Sequence, residues 1–175
     1  MNQNELFNML QEGKPNTLGR TIEIYNKIIS NQINTMDVYN LYKKEDRIVS
    51  MRVSNIVKRL WREDVNYILP IIDQFIVDAK EFLNPTFRWT LAQLFKELFK
   101  KLNSDQKNKL LLEIQRNFQL SDDWIMLTQS IDALVYARSK KMEIINISKI
   151  IDKLEQDNRR IIEKKVNKLK ELFKI

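Results

Sequence analysis

Few side chains in this sequence are equipped for chemistry, and their types narrow what that chemistry is. None of the 175 residues is histidine or cysteine, so zinc sites, thiolate chemistry and Ser-His or Cys-His relays are excluded. Three tryptophans remain, Trp61, Trp89 and Trp124, together with the carboxylates Asp132, Asp122 and Asp123. An aspartate on a groove wall can transfer a proton, whereas the adjacent pair has a plainer use at a helix start, where the dipole favours negative charge. The third set is cationic. NRRIIEKKVNKLKELFK places Arg159, Arg160, Lys164, Lys165, Lys168 and Lys170 around an apolar stripe of Ile162, Val166, Leu169 and Phe173. A surface of that kind holds phosphates through charge, with steep salt dependence and little base readout. Arg160, Lys164 and Lys168 are its candidate phosphate-binding residues. Glu163 and Glu171 interrupt the block, as they would on the solvated face of a terminal helix.

The net charge of +7 is unevenly placed. Residues 1–137 hold 18 Lys/Arg against 17 Asp/Glu, and residues 138–175 hold 12 against 6. The basicity therefore belongs to the C-terminal helices, although a Lys, Asn and Ile-rich chain also reflects A/T-rich codons. With 43% apolar and 30% charged residues the chain has the balance of a soluble globular protein. Two glycines and three prolines leave too little turn punctuation for an all-β fold and favour helices. The segment MNQNELFNMLQEGK has no basic start followed by an apolar run, and no 18-residue apolar stretch occurs. The expectation is a bacterial-type cytoplasmic protein with no membrane role and no cofactor.

The elements that position these residues repeat. Val49, Val53, Ile56, Val57 and Leu60 recur 38 residues later as Phe87, Leu91, Leu94, Phe95 and Leu98. That spacing puts all five on one helical face. A weaker copy 37 residues further on runs Trp124, Thr128, Ile131 and Val135, and a rough fourth runs Ile162, Val166, Leu169 and Phe173. Asp46, Asn84 and Ser121 stand three residues before each first position as expected N-caps, and Pro85 takes the position where proline costs a helix nothing. Further amphipathic helices are expected near 3–11, 17–31, 34–43, 66–82, 104–119 and 143–156, with Pro70 delaying or kinking its helix. Their short links favour antiparallel pairs.

Two-helix units of about 38 residues, with Pro70 in a first helix and the apolar-Arg pair Phe87-Arg88 opening a second, resemble HEAT repeats. From Arg20 to about Ala137 the chain is similar to small bacterial HEAT-repeat proteins, with Ser50 and Ile125 where that pattern prefers arginine. The resemblance implies an all-α fold, a right-handed α-α superhelix (a HEAT/ARM-like solenoid) of about four helical pairs. It would be one domain over 1–175, with cap helices at 1–33, the clearest repeats at 34–139 and a basic repeat at 140–175. It also implies that Arg88 pairs with an acid of a neighbouring repeat, Asp46 or Glu45 being at hand.

In such a solenoid the second helices line the concave face. Met51, Trp89 and Met126, about 200° around the helix from the core lattice, are the expected floor of a partner-binding groove. Asn55 and Gln93, then Lys58 and Lys96, then Arg62 and Lys100 flank it, with Arg88 at its edge. Methionine adapts to irregular surfaces and tryptophan anchors, so the expected partner is a protein or peptide bound by a non-catalytic scaffold. Packing against the next repeat is the alternative use of the three apolar residues, and Trp61 and Trp124 are expected to be structural. Nucleic-acid backbone binding through the C-terminal cations is the second functional expectation. A third follows from a more distant resemblance, to DNA alkylation-repeat glycosylases, whose local arrangement is a Trp with an Asp four residues later. Here Val65, Gln93 and Thr128 follow Trp61, Trp89 and Trp124 at that spacing, which leaves Asp132 as the only candidate acid for that activity.

Overall fold

A computed structural model describes residues 1–174, and the described residues form ten α-helices and three short 3₁₀ segments with no strand. None of these helices is long and apolar enough to cross a membrane. The chain divides into two compact units, Met1–Phe75 and Ile76–Ile175.

In the first unit α1 (Gln3–Gln11) and α2 (Thr21–Ile29) both pack on α4 (Arg47–Glu63), with α3 (Thr35–Tyr39) leading into a 3₁₀ segment, Asn40–Lys44. Asp46 caps α4 as expected, accepting the Val49 amide at 2.8 Å. Val49, Val53, Ile56, Val57 and Leu60 are all buried, each contributing about 1.5–3 kcal/mol through loss of apolar surface to water. Trp61 joins them in the interior. Tyr39, Tyr42 and Phe75 form an edge-to-face cluster with ring centres 4.8 to 6.1 Å apart, a favoured aromatic geometry. Pro70 delays its helix: Leu69–Ile71 is 3₁₀ and α5 (Ile72–Asp78) starts only after it.

Arg52 is the unexpected member of this core. Its guanidinium, almost fully buried, donates to the carbonyls of Leu10 (2.5 Å), Glu12 (2.6 Å), Lys14 (2.9 Å) and Thr17 (3.1 Å). The first two lie at the C-terminal end of α1, where the last carbonyls have no helical partner and the dipole is negative. Arg52 thus satisfies carbonyls at the end of α1 and ties down the loop leading to α2.

In the second unit the helices alternate between two layers. α6 (Pro85–Glu97), α8 (Trp124–Ser139) and α10 (Arg160–Phe173) lie side by side, with α7 (Ser104–Leu120) and α9 (Ile147–Leu154) against them. α6 and α7 are antiparallel, since Lys107 sits over the Phe99 ring while Arg88 meets Asn117. α6 and α8 run parallel, with Lys96 beside Gln129 and Phe99 beside Tyr136. α8 and α10 do the same, with Asp122 beside Arg159 and Asp132 beside Lys165.

The third copy of the repeat departs from its expected register. α8 is capped by Asp123, which accepts the Met126 amide at 2.8 Å, while Ser121 ends α7 in extended backbone. Trp124 is 47% exposed at the first helical position, not a core residue, and Leu127, Ile131 and Leu134 form the buried lattice. These follow Leu91, Phe95 and Leu98 by 36 residues, not 37. One residue of slip rotates a helix by about 100°, which moves Trp124 out of the core and Met126 into it.

Candidate interaction surface

Arg88 stands at the fourth position of α6 because Asn84 and Pro85 start the helix there, Asn84 Oδ1 accepting the Thr86 amide at 2.8 Å. Its side chain is fully buried, so it is not on the edge of any groove. Its Nε donates to Asn117 Oδ1 at 2.5 Å, its terminal nitrogens to the carbonyls of Ala79 and Glu113, and Nη1 lies 3.3 Å from the Glu113 carboxylate. Asn117 passes the network to Ser130 of α8 at 2.7 Å, and Arg116 adds a second cation to Glu113 at 2.8 Å. Burial pushes the Arg88 guanidinium below its ordinary value and Glu113 opposes that shift. The acid partner is therefore Glu113 of the next helix. Asp46 is instead engaged in capping α4 and accepts from Gln11.

Met126 is likewise fully buried and drops out of the expected groove. Of the remaining candidates, Met51 is 36% exposed on α4, one turn before Asn55, whose Oδ1 accepts from Arg59 at 2.8 Å. Trp89, Gln93 and Lys96 are half-buried along one face of α6. With the 36-residue register, the residue of α8 that corresponds to Trp89 is Ile125, half-buried, and that of α10 is Ile161, 44% exposed. Three adjacent helices thus carry an accessible apolar residue at the same place. Gln93, Gln129 and Lys165 follow one turn on, then Lys96, Asp132 and Lys168.

The two polar rows are cross-linked. Lys165 Nζ pairs with Asp132, and Lys96 Nζ lies 3.9 Å from Asp132 and 3.5 Å from Gln129 Oε1. Asp132 therefore holds two ammonium groups from the neighbouring helices. Arg160, Lys164 and Lys168 are exposed on α10 and make no ion pair among the described residues. The neighbouring cations are engaged: Arg159 grips Asp157 and Lys170 pairs with Glu155.

No protein-family model, curated protein or solved structure matches the chain. Its chemistry is read from the side chains alone. Asp122 and Asp123 are both occupied at the start of α8, Asp123 as the cap and Asp122 in an ion pair with Lys153 at 3.2 Å. Among the described residues no three acidic side chains come together in a way that would hold a metal ion.

Lys96 gives the surface a pH signature. Burial holds its ammonium below the ordinary value of 10.5, Asp132 opposes this, and Lys165 reinforces it. In the interval between the folded pKa and 10.5 the unfolded chain binds more protons than the folded one. Stability contributed by this site must then rise as pH climbs through that interval. Urea unfolding at stepped alkaline pH should show wild type gaining stability relative to Lys96→Met as pH approaches 10.5. A relative loss with rising pH contradicts the sign.

Proposed function

We propose that the protein is a non-catalytic scaffold of HEAT-like architecture, an α-α superhelix of about four helical pairs. In the cytoplasm it binds a protein or peptide partner through the exposed face of its second helices. The observation that carries this reading is the row Trp89, Ile125 and Ile161 on three adjacent helices. An accessible apolar residue recurring at one register is more than the scattered single exposures normal on a surface. Tryptophan is the residue type most enriched among binding anchors, and the row of Lys96, Asp132 and Lys168 beside it offers charged groups for orientation.

The test is a photo-crosslinking residue placed singly at Trp89, Ile125 and Ile161, with the exposed Leu83 as the control. A shared adduct at the three row positions and none at Leu83 is the expected pattern. Equal labelling at all four places the contact elsewhere.

A second reading rests on Arg160, Lys164 and Lys168, three exposed cations on one side of α10 without carboxylate partners among the described residues. They suit a phosphate backbone gripped by charge. If they act together, fluorescence anisotropy of labelled DNA or RNA should show an affinity that falls by roughly 10²-fold or more between low and near-physiological salt. Changing all three to glutamine should remove most of that slope. Binding that is unchanged in the triple variant removes this reading and leaves the peptide surface intact.

A further inference from the structure

The other layer of the second unit holds a separate cleft, between α7 and α9, with a volume of about 200 Å³. Phe118 and Ile150 close its floor, and the Gln115 side chain fixes one wall by accepting the Ile145 amide at 2.7 Å. Leu112, 48% exposed, and Ile145, 50% exposed, face solvent at its mouth. Beyond them the concavity continues toward Glu143. At the opposite end stand Arg116, Lys149 and Lys153, and no carboxylate lines that part of the cleft. Arg116 and Lys153 each have an acid partner, Glu113 and Asp122, while Lys149 makes no ion pair among the described residues.

Size and charge select the occupant. Sites for small organic ligands run to roughly 300–1,000 Å³ and enclose most of the ligand; this one is smaller and open. It fits one large apolar side chain of a longer chain, with neighbouring acids over the cationic end. We propose that the α7–α9 cleft docks a short acidic, amphipathic peptide segment of a partner protein, its apolar anchor between Leu112 and Ile145 and its carboxylates on Lys149, Lys153 and Arg116. None of these residues belongs to the α6, α8 and α10 face, so this second contact stands or falls independently of the first.

The probe is a fluorescein-labelled peptide with two phenylalanines on one helical face flanked by glutamates, titrated with the full chain. Two control peptides carry lysine for every glutamate, or alanine for each phenylalanine. Saturable anisotropy with the acidic peptide, absent for both controls, is the expected result. Lys149→Glu and Leu112→Asp should each weaken binding roughly tenfold or more, with thermal melting unchanged because both positions are exposed. Ile161→Asp on the other face should leave the affinity as it was. Binding of the lysine peptide with equal affinity, or the same loss in Ile161→Asp as in Leu112→Asp, overturns the proposal. No saturation at peptide concentrations up to about 1 mM does so too.

Discussion

Arg88→Met is expected to destabilise the protein by about 3–5 kcal/mol, the range for removing one partner of a buried ion pair. The substitution keeps most of the volume but leaves the Glu113 carboxylate with Arg116 and without its buried cation, and deprives Asn117 and two backbone carbonyls of a donor. Unpaired buried polar groups each cost about 1–3 kcal/mol, so the loss comes mainly from what remains behind. That origin separates this account from simple loss of packing. Adding Glu113→Leu should cost much less in the Arg88→Met background than in wild type, with a coupling of about 1–3 kcal/mol in a double-mutant cycle. Urea unfolding followed by tryptophan fluorescence reads both quantities. Additive losses, or a single-variant effect below about 0.5 kcal/mol, contradict the assignment.

The same network shows how far the sequence could be read. The apolar lattices of α4 and α6 are visible in spacing alone, because their N-caps, Asp46 and Asn84, start each helix three residues ahead of a core residue. In α8 that rule points the wrong way, since Ser121, Asp122 and Asp123 are three good capping residues in a row. Choosing Ser121 makes Trp124 the first core residue; the helix instead starts from Asp123. Leu127, Ile131 and Leu134 carried the correct signal, a lattice at four-three spacing with no polar member. Once that lattice sets the register, the third member of the exposed apolar row becomes Ile125 and Met126 turns inward.

A structural role for Arg88 was implied by the resemblance to HEAT repeats, but its partner was not legible. Glu113 sits on α7 amid residues of every type, and only the antiparallel packing of α6 and α7 brings it to the guanidinium. Nor does periodicity foretell the α7–α9 cleft, whose walls come from helices read as amphipathic stabilisers. Its mouth depends on the loop before α9, where Asn146 takes a left-handed conformation, φ 55°.

Arg52 is the residue that sequence reasoning passed over, and its loss is expected to be felt as strongly. It occupies a core position, three residues after Val49 and one before Val53, so a charged side chain there had either to be tolerated or to have a purpose. Its purpose is to satisfy the end of α1 and the loop before α2. In Arg52→Met four buried or partly buried carbonyls lose a charged donor. At roughly 1–3 kcal/mol for each group left without a partner, offset where water reaches the loop, a net loss of about 3–5 kcal/mol is expected. The damage should be local first, so hydrogen exchange of amides between Glu12 and Gly19 should accelerate before the helices of the unit respond. Gly19 provides an independent check. It has φ 51°, and a Cβ there would lie 2.7 Å from Arg52 Cζ and 2.6 Å from the Glu12 carbonyl oxygen. Gly19→Ala should therefore destabilise wild type through both the left-handed backbone and the clash. In Arg52→Met the same change should cost less, since the guanidinium is gone and only the backbone conflict and the contact with Glu12 remain. Equal costs in the two backgrounds, or uniform exchange across the first unit, place the role of Arg52 elsewhere than in holding this loop.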